Sequence, residues 1–263
     1  MSEDKKEWRF LPLETRNGYW NMALDEAILD TVIKRESPNT LRFFKWNPST
    51  ISIGRNQSLI NEVDVNFAKE KGFNIVRRIT GGGSVFHDST REITYSIVCP
   101  TRFLEKLNAK NVIEQFEKIE EGIVLALTHY GLKTEKGVIH CPAIFLDGRK
   151  FSGNAQVRKQ GYLLQHGTIL LELDPELMYS VLKAPHNVSK SKMVKSVYAK
   201  CIGIKEKLEF YEENSFLSSL KAGFESVLRM ELKDGAFSEN ELKMAKNLVS
   251  KKYSNKDWLE KYE

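Results

Sequence analysis

Three consecutive glycines, Gly81-Gly82-Gly83, stand between two stretches of strand character, residues 74–78 and 92–98. Such a run weakens a helix or a paired strand, because glycine loses the most backbone entropy on ordering and has no side chain to pack. The chain must therefore turn here, with β-structure on both sides. Side-chain-free N–H groups also let an anion approach closely, and Arg77 and Arg78 just before the glycines add charge. The spacing is neither GxxxxGK[ST] nor GxGxxG, so it is no Walker loop and no dinucleotide fingerprint. Taken alone, a tight hairpin turn is the commoner meaning of three glycines.

Around this loop the elements alternate. Ala23, Leu24, Ala27, Ile28 and Val32 recur at helical spacing and predict a helix over residues 21–34. LRFFKW and TISIG read as strands separated by Asn47-Pro48-Ser49. A short helix is expected over 65–71, closed by Gly72. A longer one is expected over 109–130, with Val112, Ile113, Phe116, Ile119, Ile123 and Leu127 as its buried stripe and Gly131 closing it. Beyond it, AIFLDGRKFSGNAQ reads as a hairpin turning at Asp147-Gly148, and YLLQHGTILLEL as a long buried strand. The pattern predicts an α+β fold, a mixed β-sheet flanked by helices. Residues 1–185 form the expected catalytic core. Residues 186–263 are expected to be a lysine-rich surface loop and a helical C-terminal extension of the same domain, because PHNVSKSKMVKSVYAK offers few large apolar residues.

Composition narrows the function classes. At 263 residues, 41% hydrophobic and 29% charged, the chain suits a folded core and has no run of roughly 18 apolar residues to span a bilayer. The charged N-terminal MSEDKKEWRF is no secretory signal, which makes the cytoplasm the expected compartment. Cys99, Cys141 and Cys201 form no CxxC pattern and read as thiols rather than disulfides or zinc ligands. A net charge of +5 favours an anionic ligand or an acidic protein partner. No basic run interleaved with aromatics points to nucleic acid.

Two further segments carry candidate chemistry. Lys150 follows the Asp147-Gly148 turn on a predicted strand, where a rigid backbone aims an ammonium at a reacting carbonyl, with Ser152, Gly153 and Ala155 leaving room. A lysine there equally serves to guard a sheet edge. His166-Gly167 interrupts an apolar strand, as a ligand contact or as a satisfied core histidine.

Taken together and in order, several motifs resemble the lipoate–protein ligase A family over most of the chain. They are Asn21-Met22-Ala23-Leu24-Asp25-Glu26, Trp46-Asn47-Pro48, Gly54-Arg55-Asn56-Gln57, the loop from Arg77 to Asp88, Gly148-Arg149-Lys150 with Ser152-Gly153, and His166-Gly167. That resemblance implies a fold similar to the class II aminoacyl-tRNA synthetase and biotin protein ligase core. It implies ATP-dependent activation of lipoate or octanoate to an acyl-adenylate, with Mg2+, and transfer to a lysine of a carrier domain. Arg78, Gly82, Gly83, Ser84, Val85 and Phe86 would then bind the adenylate, Lys150 would contact acyl carbonyl and α-phosphate, and Trp46, Arg55, Lys150 and His166 would serve the lipoyl group. Lys195 is the best match to the family's adenylate-covering loop. The implied partners are lipoyl domains of 2-oxoacid dehydrogenases or the glycine-cleavage H protein. The length matches a short form that lacks the C-terminal accessory domain and uses a separate accessory subunit. The chain departs from many such ligases in having Val138-Ile139-His140-Cys141 near their Asn-Asp pair, which leaves the metal ligands unassigned.

Two other readings stand beside it. A cysteine-dependent octanoyltransferase of the same superfamily moves octanoate between carriers without ATP; the Gly-x-Ala-Gln and Leu-Gln-His-Gly-Thr segments suit it, and Cys141 is the candidate nucleophile. Such transferases tend to carry arginine where Gly83 stands and a nucleophile near Glu135. Otherwise Cys141 is a buried small hydrophobe. A non-catalytic lipoate-sensing module retains the same fold.

Overall fold

The computed structural model describes residues 8–137 and 142–263. Its strands are β1 (Trp8–Arg16), β2 (Thr40–Trp46), β3 (Thr50–Ile53), β4 (Asn74–Arg77), β5 (Val85–His87), β6 (Glu92–Pro100), β7 (Thr134–Lys136), β8 (Ala143–Leu146), β9 (Arg149–Lys159), β10 (Tyr162–Leu170) and β11 (Leu232–Asp234). Among the described residues they form an eight-stranded sheet, β11-β1-β2-β6-β10-β9-β8-β7, and a three-stranded sheet, β4-β3-β5. The larger sheet is mixed, as expected: β1 runs parallel to β2 and β11, and the other pairs are antiparallel. The predicted neighbours LRFFKW and TISIG fall in different sheets, β2 in the large and β3 in the small. The C-terminal β11 joins the main sheet beside β1.

Alternation along the central strands serves two faces. Phe43, Tyr95, Ile97 and Leu163 point into the main core, while Phe44, Val98 and Leu164 point to the other side. The first face is covered by α5 (Val112–His129) and α8 (Glu213–Leu228), whose Ile119, Ile123, Phe216 and Phe224 are fully buried. Each such side chain contributes roughly 1.5–3 kcal/mol of burial. The second face is covered by α1 (Gly18–Ile33), against which α9 (Glu239–Leu248) packs in turn. The remaining helices are α2 (Leu59–Glu62), α3 (Val65–Glu70), α4 (Thr101–Glu105), α6 (Pro175–Val181), α7 (Lys190–Lys200) and α10 (Lys256–Leu259).

Two local expectations need correction. Helix α5 starts at Val112 because Asn111 and Glu114 close a capping box. Val112 and Ile113 therefore sit in its first turn, 48% and 45% exposed, and Gln115 and Glu120 are buried instead. From Lys190 to Lys200 the lysine-rich stretch is a helix rather than a loop. The Ser189 hydroxyl caps α7, and Val194 is buried beneath it.

Candidate functional site

A cavity of about 420 Å3 lies where the main sheet meets the small one, with α6 and α7 forming part of its wall. It is lined by Trp46, Arg78, Gly82, Gly83, Ser84, Val85, Phe86, Lys150 and His166 among others. The structure thus brings nearly every site residue expected from the sequence into one place. Arg55 is the exception: its side chain is exposed, and the residue does not line the cavity. Cys141 lies outside the described residues.

The floor rests on buried charge, which reaches the cavity itself through His166 and Arg78. Asn21 and Asp25, four residues apart on α1, share one helix face. Arg42 of β2 donates to Asp25 Oδ1 at 3.0 Å and to Asn21 Oδ1 at 2.6 Å, and its guanidinium lies 4.1 Å over the Phe44 ring. Asp25 Oδ2 is 3.1 Å from His166 Nδ1, whose Nε2 is 2.8 Å from the Thr80 hydroxyl. A carboxylate only accepts, so Nδ1 carries the proton and Nε2 accepts from Thr80. Burial pulls the His166 pKa below its ordinary value, although Asp25 opposes this. The neutral ring ties the glycine loop to α1. Asp25, Arg42 and Asn21 were missed as site residues; their signal was a polar pair at i and i+4 inside an otherwise apolar helix.

Arg78 organises the glycine loop itself. Its Nε donates to Thr80 Oγ1, one terminal nitrogen to the Ser52 carbonyl and hydroxyl, and the other to the carbonyls of Gly81 and Gly83 at 2.8 and 2.7 Å. All five N–H groups are engaged, so a phosphate would have to displace a loop carbonyl to reach the guanidinium. Burial lowers its pKa to about 10, which leaves it charged at neutral pH. Gly54 packs against the same loop, where a Cβ would lie 2.0 Å from the Gly82 carbonyl. Gly82 itself has φ +94, a conformation open to glycine. Arg77 turns the other way and binds the carbonyls of Trp258 and Leu259. Its charge clamps the C-terminal segment rather than serving the cavity.

One wall is a linked hydroxyl, imidazole and carboxylate. His87 Nδ1 donates to Glu92 Oε1 at 2.7 Å, and His87 Nε2 lies 2.9 Å from Ser52 Oγ. The ring stacks on Trp46 at 4.0 Å, and Trp46 Nε1 donates to Thr94 Oγ1, which donates to Glu92. Both aromatic rings are fixed by this chain of bonds.

The opposite wall is β9. A Cβ on Gly153 would lie 3.0 Å from Lys150 Cε and Nζ, so the glycine makes room for the ammonium. Asn154 donates to Glu120 Oε1 at 2.8 Å, accepts from Tyr95 Oη at 2.7 Å, and donates its backbone N–H to the Pro142 carbonyl at 3.1 Å. Gly167 admits the Asn154 amide, since a Cβ there would be 1.8 Å from its Oδ1. Burial pushes the Glu120 carboxyl up to about 7, against the bond from Asn154 and the charges of Lys136 and Lys150. Cys99 is buried in the core, and burial pushes its thiol far up. Cys201 lines the cavity; burial raises its pKa while Lys150 and Lys200 lower it. Glu135 is exposed on the short strand β7.

Comparison with known proteins places this geometry. The family model described as the lipoyl protein ligase A/B catalytic domain matches residues 17–225. Octanoyltransferase LipM of Moorella thermoacetica is 34% identical over 272 residues, covering 97% of this chain and 98% of that protein. Octanoyltransferase LipM of Bacillus subtilis is 31% identical, covering 97% and 98%. Among solved structures, a bi-partite lipoate protein ligase from Thermoplasma acidophilum, studied with its E2 lipoyl domain, superposes with TM-score 0.85 at 26% identity, covering 98% of each chain. A lipoate-protein ligase A bound with ATP shares the fold, with TM-score 0.82 at 24% identity, covering 98% of this chain and 100% of that one. The expectation of an acyl-adenylate-forming lipoate ligase is corrected here. Curated relatives matching nearly the whole chain are octanoyltransferases, and the shared scaffold had made the two chemistries look alike. The chain belongs to the lipoyl protein ligase A/B catalytic domain family.

Proposed function

We propose that this protein transfers an octanoyl group from a thioester donor to a lysine of a lipoyl-type carrier domain. The observation that carries the reading is the near-full-length identity to octanoyltransferases of 31–34%. The site supports it. A cavity of about 420 Å3 falls within the roughly 300–1,000 Å3 of small-molecule sites. Trp46, Val85, Phe86, Leu170 and Leu182 give it apolar walls. At about 0.8 kcal/mol per buried CH2, an octanoyl chain with six of them gains on the order of 5 kcal/mol there.

In the first step a cysteine thiolate attacks the thioester carbonyl, and the donor thiolate leaves. In the second, the neutral amine of the acceptor lysine attacks the acyl-enzyme, an amide forms, and the enzyme thiol is released. The acyl group enters already activated, so no ATP is consumed. Cys141 is the nucleophile in this reading. Its chain neighbour Pro142 is held through its carbonyl by Asn154, a residue lining the cavity. Lys150 supplies a fixed positive charge to the oxyanion that develops at each tetrahedral stage. The test is mass spectrometry after mixing the enzyme with an octanoyl thioester. The reading expects one octanoyl adduct on Cys141, lost in Cys141→Ala and retained in Cys201→Ala. An adduct confined to Cys201 would move the nucleophile to the residue that ends α7.

A further inference from the structure

The positive charge of this chain is concentrated in one place. Residues 177–205 contain six lysines, at 183, 190, 192, 195, 200 and 205, and no aspartate or glutamate. Removing those six from the 40 basic residues leaves 34 against 35 acidic ones, so the other 234 residues carry a balance of −1. The net +5 is therefore a property of this segment and not of the surface in general.

The segment also forms part of the wall of the cavity. Met178, Tyr179, Leu182, Val197 and Cys201 line it from within, while Lys190, Lys192, Lys195 and Lys200 are exposed on α7. Lys205 pairs with Glu172, but among the described residues no ion pair joins those four lysines of α7 to a carboxylate. The helix thus presents one sign of charge, uncompensated, beside the cavity.

Resting on the octanoyl-transfer reading, we infer that α7 is the docking face for the acceptor domain, and that the acceptor meets it with an acidic surface around its target lysine. A target lysine approaching the cavity brings a cation toward Lys150 and this basic helix. Like charges at such a rim repel one another, and acidic residues flanking the incoming lysine reverse the sign of the encounter. Only a partner that brings those carboxylates gains from the surface, so the helix selects the acceptor as well as attracting it.

The experiment measures binding of an acidic lipoyl-type domain directly, alongside turnover, for wild type, the triple variant Lys190→Glu/Lys192→Glu/Lys195→Glu, and the control Lys243→Glu/Lys246→Glu on α9. The triple variant is expected to bind at least tenfold more weakly at about 0.05 M salt, and the gap is expected to shrink at about 0.5 M, where screening shortens the reach of charge. KM for the acceptor rises while kcat stays within twofold, and acylation of the enzyme by a small octanoyl thioester is unchanged. Unchanged acceptor binding overturns the proposal. So does equal weakening by the control, which reduces the effect to net charge. Slower acylation by a protein-borne donor with intact acceptor affinity assigns the face to the donor and likewise overturns it. If the wild type binds the acceptor and the triple variant does not, yet neither transfers octanoate, the docking face stands and the transferase reading fails.

Discussion

The floor and the rim of the cavity handle charge in opposite ways. On the floor, Asp25, Arg42, Arg78 and His166 are buried; Asp25 bonds both Arg42 and His166, and Arg78 bonds the hydroxyls of Ser52 and Thr80 and the carbonyls of Gly81 and Gly83. On the rim, the lysines of α7 stand in solvent with no carboxylate paired to them among the described residues. Buried charges are expensive unless matched, so the floor is a scaffold that holds the glycine loop, α1 and β10 in one arrangement. Exposed charges contribute little to folding, which leaves the rim free to serve recognition. Substitutions on the floor should therefore act on stability, and substitutions on the rim on partner affinity.

The largest effect is expected from Asp25→Ala, which strands Arg42 and His166 without their shared carboxylate. Removing one partner of a buried pair costs about 3–5 kcal/mol, read by urea unfolding; a loss below about 1 kcal/mol would show that the floor is not the scaffold described. Lys150→Ala should leave the fold intact and lower kcat by roughly 10²–10³, the loss typical of one oxyanion contact. A rate within a few-fold of wild type would remove Lys150 from the chemistry.

Glu120→Gln sharpens the comparison through pH. The folded carboxyl titrates at about 7 against an ordinary 4.5, so the folded state holds the proton more tightly. Stability from this group is complete below about 4.5 and is lost as pH rises through about 7. The penalty above that reaches at most about 3 kcal/mol, from 1.36 kcal/mol per unit. Thermal unfolding should show wild type losing stability between pH 5 and pH 8 and the glutamine variant losing less; parallel profiles would contradict the assignment. Smallest is Ser189→Ala, which removes the cap of α7 at about 1 kcal/mol. It should speed hydrogen exchange in α7 while leaving the floor protected.

Legibility in the sequence cut across that division, since Asp25 and Arg42 of the floor were missed while His166 beside them was read. The glycine loop, Lys150 and His166 were readable because each places a chemically distinct residue at a fixed offset from a turn or a strand. The hairpin at Asp147-Gly148 was readable because both residues adopt positive φ, +50 and +71. The opposite fates of Arg77 and Arg78 were also within reach, since successive residues of a strand face opposite sides. The assignment of β2 and β3 to separate sheets was not, because periodicity marks a strand without naming its partner. Helix α7 escaped because it has few apolar residues: Val194 is buried beneath it, and Val197 finds its place only once the cavity exists to receive it. Ligase and transferase chemistries share this scaffold, so the motifs that identify the family do not choose between them.

The most direct test of the account is octanoylation of a lipoyl-type domain by the purified enzyme from an octanoyl thioester, with and without ATP, and from free octanoate with ATP and magnesium. The account predicts transfer from the thioester at the same rate whether or not ATP is present, and loss of that transfer in Cys141→Ala. Octanoylation from free octanoate that requires ATP and releases pyrophosphate, with Cys141→Ala fully active, would contradict it.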